Sequence, residues 1–180
     1  MGNSVGAPKS NLDFRLMAFT YRLRDLLSPP MNVLKELDIR QGFWVLDYGC
    51  GPGSYIVPLA SLVGGSGRVY AVDVHPIAIR MAQATASKRL LTNVKIIQSN
   101  RDTRLPDSSI DVALLYDILH ELDKPDDVLG ELHRVLKPGG ILSVSDHHMN
   151  EADILLNVTS GGLLRFSTRD RKTYTFEKQG

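Results

Sequence analysis

Residues 45–53, Val-Leu-Asp-Tyr-Gly-Cys-Gly-Pro-Gly, restrict the fold more than any other stretch of this chain. A short apolar strand runs through a carboxylate, Asp47, into glycines at 49, 51 and 53, and a helix is expected to begin near Gly53. The missing Cβ at Gly49, Gly51 and Gly53 lets the backbone turn sharply at the strand's C-terminal end and approach a ligand closely. A dinucleotide fingerprint would put its third glycine at position 54, which is Ser54, and would avoid a carboxylate two residues before the first glycine. Asp47 stands there. A fixed negative charge repels a pyrophosphate and attracts an ammonium or sulfonium group, so the spacing favours a cationic nucleoside ligand.

The rest of the chain repeats the strand-then-helix pattern. An amphipathic helix is expected over residues 12–28, with Leu12, Leu16, Met17, Phe19, Leu23, Leu26 and Leu27 at mixed three- and four-residue spacings, ended by Ser28-Pro29-Pro30. A short helix over 31–37 leads to strand one at 44–48. The helix after the glycines stops at 63 before Gly64-Gly65-Ser66-Gly67. Strand two is expected at 69–74, a helix at 77–88, strand three at 94–98 and strand four at 112–116. The next helix starts at Asp123 and Pro125, carries Val128, Leu129, Leu132, Val135 and Leu136 on one face, and ends at Lys137-Pro138-Gly139-Gly140. Strand five follows at 141–145 and a helix at 151–156. Residues 163–167 and 173–177 flank a connection too short for a crossover helix, so they form an antiparallel hairpin.

Apolar strands alternating with amphipathic helices give a doubly wound α/β fold. The expectation is a Rossmann-like seven-stranded sheet, mostly parallel, with an antiparallel C-terminal hairpin and helices on both faces. The 180 residues suit one domain: a tail over 1–10, a helical lid over 11–38 and a sheet core over 42–180. A net charge of +1 without a dense Lys/Arg block argues against a nucleic-acid face, and no apolar run is long enough for a membrane span. The single cysteine, Cys50, excludes an intramolecular disulfide and a multi-thiolate zinc site. The first ten residues show no apolar signal core, and Gly6 breaks a myristoylation motif, so a cytoplasmic location is expected.

Val-Leu-Asp-x-Gly-x-Gly-x-Gly resembles motif I of the class I S-adenosylmethionine-dependent methyltransferases, and the later motifs follow that family's order from about Phe14 to Lys178. The hairpin agrees with motif I independently, since an antiparallel final pair distinguishes the methyltransferase sheet from a dinucleotide-binding one. Asp-Tyr-Gly-Cys-Gly-Pro-Gly, Leu-His-Glu-Leu and Leu-Lys-Pro-Gly-Gly look like the small-molecule group that includes the quinone-biosynthesis methyltransferases. The resemblance implies S-adenosylmethionine as cofactor and a small-molecule methyl acceptor. It puts the backbone at Gly49 and Cys50 along the methionine part and Asp47 near its ammonium. Asp73, at the end of strand two, would accept both ribose hydroxyls; as a helix cap before Pro76 it would instead be structural. Val74 and His75 would pack against the adenine, whose amino group meets Asn100 or Arg101, with Asp102 the nearest carboxylate. Tyr116 and Asp117 would lie near the sulfonium. Cys50, a small residue between two glycines, is expected there for fit and not as a nucleophile.

An activated methyl group needs mainly a nucleophile held in line, and a base only where the acceptor must lose a proton. Candidate bases are Asp117, His120 and Glu121 after strand four and Asp146, His147 and His148 after strand five; Asp117, His120 and Asp146 lead. In catechol-type relatives an acid at the strand-five exit helps bind magnesium with a second acid after strand four. Asp117 falls one residue late for that pattern and His147 stands where an amide is usual, so no metal is expected. Phe14, Met17 and Tyr21 are expected to face the cofactor from the lid. With no large insertion after strand five, the acceptor pocket is either small or completed by a second subunit in a homodimer. Two rivals stand beside this reading, an aminopropyl transferase on the same fold and a non-catalytic S-adenosylmethionine or S-adenosylhomocysteine sensor.

Overall fold

The computed structural model describes residue 20 and residues 23–180; the expected tail over 1–10 and the inward-facing Phe14, Met17 and Tyr21 lie outside the described residues. Helical residues 23–27 (α1) lead to α2 (Pro30–Leu34), then β1 (Trp44–Tyr48), α3 (Ile56–Val63), β2 (Arg68–Asp73), α4 (Pro76–Lys88), β3 (Val94–Gln98) and β4 (Ile110–Tyr116). A 3-10 turn at Leu119–Glu121 precedes α5 (Pro125–Val135), β5 (Leu136–Ser145), α6 (Glu151–Thr159), β6 (Leu164–Arg169) and β7 (Tyr174–Lys178). Among the described residues no helix is long and apolar enough to cross a membrane.

The seven strands form one sheet in the order β3-β2-β1-β4-β5-β7-β6. Its first five members run parallel, while β7 pairs antiparallel with both β5 and β6. The chain winds outward from β1 in one direction and from β4 in the other, so the crevice between their C-terminal ends is the switch point where ligands bind in open α/β sheets. The central strands are apolar on both faces because helices cover both: β4 is buried at six of seven positions. On one face Leu46, Leu115, Leu132, Leu142 and Phe176 form a core under α5 and α6. On the other, Val45, Val69, Leu114 and Tyr116 pack against Leu34, Leu59 and Val63 of α2 and α3. The edge strand β6 is mostly exposed and carries Arg165 and Arg169, charges that discourage pairing with another chain.

Three expectations change. The helix after the glycines begins at Ile56, not near Gly53, because Gly49, Gly51 and Gly53 all adopt positive φ (+77°, +51° and +88°), outside the right-handed helical region. The helix expected over 31–37 ends at Leu34 and continues as tighter turns, with Leu37 N–H donating to the Leu34 carbonyl at 3.1 Å. Lys137-Pro138-Gly139-Gly140 does not merely end a helix: Leu136 already pairs with Ile110, the register shifts, and pairing resumes at Val112 with Ile141. A Cβ on Gly140 would stand 3.0 Å from the Lys137 carbonyl oxygen and 3.1 Å from that of Ile110, so the bulge needs a glycine there.

Candidate active site

The turn after β1 is a folded knot of backbone. Gly49 and Cys50 N–H both donate to the Val72 carbonyl of β2, at 2.8 and 2.9 Å, and Gly53 N–H donates to the Cys50 carbonyl at 3.0 Å. Gly51 N–H donates to Asp73 Oδ2 at 2.8 Å. A Cβ on Gly49 would meet Ile118 Cγ1 at 3.0 Å, so the chain leaving β4 rests directly on the bare glycine. This contact brings the exits of β1 and β4 together.

Asp73 ends β2 with its second oxygen accepting His75 N–H at 2.8 Å. It is not the cap of α4; that role falls to His75, whose Nδ1 accepts Ile77 N–H at 3.2 Å. Burial raises the Asp73 carboxyl above its ordinary range, opposed by the hydrogen bonds from His75 and Gly51. Asp47, on the neighbouring strand, is buried and its Oδ2 has no hydrogen-bond partner among the described residues. Burial, then the nearby charge of Asp73, pushes it up to about 7. Burial, with Asp47 and Asp73 beside it, raises the Cys50 thiol well above its usual value, which keeps it protonated and unreactive.

Beyond Asp73 the rim is apolar, with the Val74 side chain half exposed. After β3, the Asn100 carbonyl accepts the Tyr48 hydroxyl at 2.8 Å, tying this loop to β1 and leaving the Asn100 side chain at the surface. Arg101 instead pairs with Asp127 of α5 at 3.1 Å. Asp102 is occupied within its own loop, accepting Arg104 N–H at 2.8 Å.

At the exits of β4 and β5 the expected acids and histidines form two pairs. His120 Nδ1 lies 2.8 Å from Asp146 Oδ2, which also accepts His120 N–H, while Oδ1 accepts His148 N–H at 3.0 Å. Burial disfavours the Asp146 charge, yet these hydrogen bonds together win and hold its carboxyl below the usual range. Asp117, in the left-handed region at φ +54°, lies 2.7 Å from His147 Nδ1 through Oδ1 and accepts Arg24 Nη1 at 2.9 Å through Oδ2. The His148 ring lies between the other two, 4.3 Å from His120 and 3.9 Å from His147 centre to centre. The carboxylates are thus engaged by nitrogen donors, and among the described residues no group of three or more His, Cys, Asp and Glu is arranged to hold a metal. The Tyr116 side chain turns into the core, its hydroxyl 2.9 Å from Ser143 Oγ.

Sequence reasoning missed Tyr55 and the pair Arg24 and Asp25. Tyr55 packs edge-on against Tyr116 with ring centres 5.1 Å apart, and burial raises its hydroxyl, which feels the charges of Arg24, Asp47, Asp117 and Asp25. Asp25 accepts the Ser54 hydroxyl at 2.5 Å, so α1 grips both the glycine turn and the β4 exit. Arg24 and Asp25 read only as the polar face of a helix; their partners lie 93 and 29 residues away.

A sheet of this order, with a glycine turn and two acids at its switch point, defines a nucleoside-binding α/β domain. The family described as a methyltransferase domain matches residues 39–173. A solved structure titled a SAM dependent methyltransferase from Aquifex aeolicus superimposes with a TM-score of 0.75 at 30% identity, covering 85% of this chain and 89% of that one. The chain belongs to the S-adenosylmethionine-dependent methyltransferases. It is also similar to demethylmenaquinone methyltransferase of Geobacillus stearothermophilus, 33% identical over 61% of this chain and 47% of that protein. A ubiquinone/menaquinone biosynthesis C-methyltransferase of Marinomonas sp. is 29% identical over 71% and 51% respectively. The chain spans about half the length of the curated relatives it matches.

Proposed function

We propose that this domain binds S-adenosylmethionine and passes its methyl group to a small-molecule acceptor by in-line displacement. The observation that carries the reading is Asp47 Oδ2, a buried oxygen with no partner among the described residues, beside a turn of three positive-φ glycines. Leaving such a group unpaired is costly, and a ligand ammonium supplies both the donor and the charge it lacks. When bound, the cofactor supplies a methyl group on a positively charged sulfur, which leaves as a neutral thioether. The residues of this chain supply the rest. Gly49, Cys50, Gly51 and Gly53 form the surface along the methionine part, and Asp73 retains acceptor capacity for the ribose hydroxyls beside its backbone donors. Val74 and His75 flank the adenine, and Asn100 receives its amino group in preference to Arg101, which is drawn to Asp127. Tyr116 backs Tyr55 behind the methyl group.

The names of the quinone-methylating relatives support a reduced quinone or similar planar phenol as acceptor. The near-neutral charge supports a partner other than nucleic acid, and a chain with a lone, buried Cys50 and so no intramolecular disulfide fits the cytoplasm. The described part of the expected lid, residues 23–38, covers the core of 42–180, a reading that the contacts of Arg24 and Asp25 support. A homodimer would complete the acceptor pocket.

Titration calorimetry with S-adenosylmethionine, S-adenosylhomocysteine and NAD tests the cofactor, and transfer of a labelled methyl group to a panel of phenols and quinols tests catalysis. Both adenosyl compounds should bind and NAD should not. Asp73→Ala should weaken binding by more than about 1 kcal/mol, roughly fivefold. NAD binding without S-adenosylmethionine binding would overturn the proposal, and binding without turnover would favour a sensor.

A further inference from the structure

We propose that His120 is the base that removes the acceptor's proton, held for that task by Asp146, and that the methylated atom therefore carries an acidic hydrogen, as in a phenol, an enol or an activated carbon acid. The inference rests on the methyltransferase reading and assigns roles within its site.

Four observations favour His120 over Asp146, Asp117 and His147. Asp146 is fully buried at its side chain and both its oxygens already accept N–H groups, so it has no face to offer an acceptor. Asp117 is likewise divided between Arg24 and His147. His147 forms a second carboxyl–imidazole pair, but its side chain is 60% exposed, on the solvent side of the cluster. His120 lies two residues beyond Ile118, whose side chain rests against Gly49, on the segment that leaves β4 past the glycine turn.

The pairing also selects which nitrogen acts. A carboxylate only accepts, so the hydrogen between His120 Nδ1 and Asp146 Oδ2 belongs to Nδ1, and in the neutral imidazole the lone pair is then on Nε2. In the step, the Nε2 lone pair takes the acceptor's proton. The pair that held this proton becomes the nucleophilic pair and forms the new bond to the methyl carbon, while the old carbon–sulfur pair stays on sulfur. The resulting imidazolium is flanked by Asp146 on Nδ1 and by Glu121 Oε1, 3.6 Å from Nε2, and then loses its proton to water. The His148 ring packs against His120 on a third side.

The test uses the full chain with 15N-labelled histidine. Long-range proton–nitrogen spectra should show His120 with hydrogen on Nδ1 and bare Nε2, and Asp146→Asn should shift the tautomer population. With S-adenosylmethionine and 1,4-naphthohydroquinone or catechol, His120→Gln should lose at least about 100-fold in kcat. Cofactor affinity by calorimetry should stay within about twofold, which also reports intact folding. Added imidazole should partly restore His120→Ala. A wild-type His120 protonated on Nε2 and bare on Nδ1, or a His120→Gln enzyme keeping more than about a third of its kcat, would overturn the proposal. Methylation of a tertiary amine, which has no proton to lose, with neither phenol turned over, would overturn the acceptor class. Loss of cofactor binding by the wild type is read separately and strikes the methyltransferase reading itself.

Discussion

Arg24 reaches 2.9 Å from Asp117 across 93 residues of sequence, and so fastens the N-terminal helical stretch to the end of β4. The neighbouring Asp25 holds Ser54, in the glycine turn, from the same side. The segment is clasped over the crevice at two points.

Breaking one clasp should affect binding more than stability. The pair is partly exposed, so Arg24→Gln should cost less than about 1 kcal/mol of folding free energy. S-adenosylmethionine affinity should nonetheless fall about three- to tenfold, with faster release in stopped-flow chase experiments. An unchanged release rate would mean that the clasp is only a packing contact.

Asp47 should make both stability and binding depend on pH, in opposite senses. Its carboxyl stands at about 7 in the folded chain against about 3.9 when unfolded. The folded state therefore holds the proton more tightly, and the stabilisation it gives is full below about pH 4, declines as pH rises, and is lost above about pH 7. The amplitude is on the order of a few kcal/mol. A cationic ligand prefers the ionised form, so cofactor affinity should rise with pH toward 7 and then level off, with proton release at pH 6 detectable by calorimetry in buffers of different ionisation enthalpy. Asp47→Asn should remove the pH dependence of both.

Gly49→Ala tests the close contact at the switch point. The new methyl would stand 3.0 Å from Ile118 at a φ of +77°, costing about 1–2 kcal/mol from backbone conformation alone. A lower melting temperature and at least a tenfold loss of cofactor affinity are expected. Gly139→Ala, also at positive φ but with open space around its Cβ, should share the strain and leave cofactor affinity intact.

Phe176→Ala tests how much the C-terminal hairpin contributes to the core. Phe176 is fully buried on β7, where it packs against Phe166 and pairs with Leu142 of β5. A loss of about 3–5 kcal/mol in denaturant unfolding is expected. If the loss is under about 1 kcal/mol, the hairpin is peripheral to the core.

Much of the sheet was legible in the sequence because short apolar runs bounded by turn residues are a local signal. The bounds of β1 and β3 fall where the sequence puts them, and the hairpin follows from a connection too short to cross over. The strand ends likewise pointed to the acids and histidines that gather at the exits of β4 and β5. What could not be read was which carboxyl meets which imidazole, since Asp146 and His120 lie 26 residues apart and Asp117 and His147 lie 30 apart. Periodicity is blind to such pairings. The same holds for Tyr55, which reads as one residue beyond a glycine turn and gains its surroundings only when α1 and β4 close around it.

The hydrogen bonds of the glycine turn also decide what the domain refuses. From position 49 to 53 the amides of Gly49, Cys50, Gly51 and Gly53 are all directed at protein oxygens, and Pro52 has none to give. A phosphate arriving there would find no N–H to receive it and two carboxyls to oppose it. The turn keeps the shape of an anion cradle with its donors facing inward, a geometry that disfavours the pyrophosphate of a dinucleotide whatever its bases or sugars.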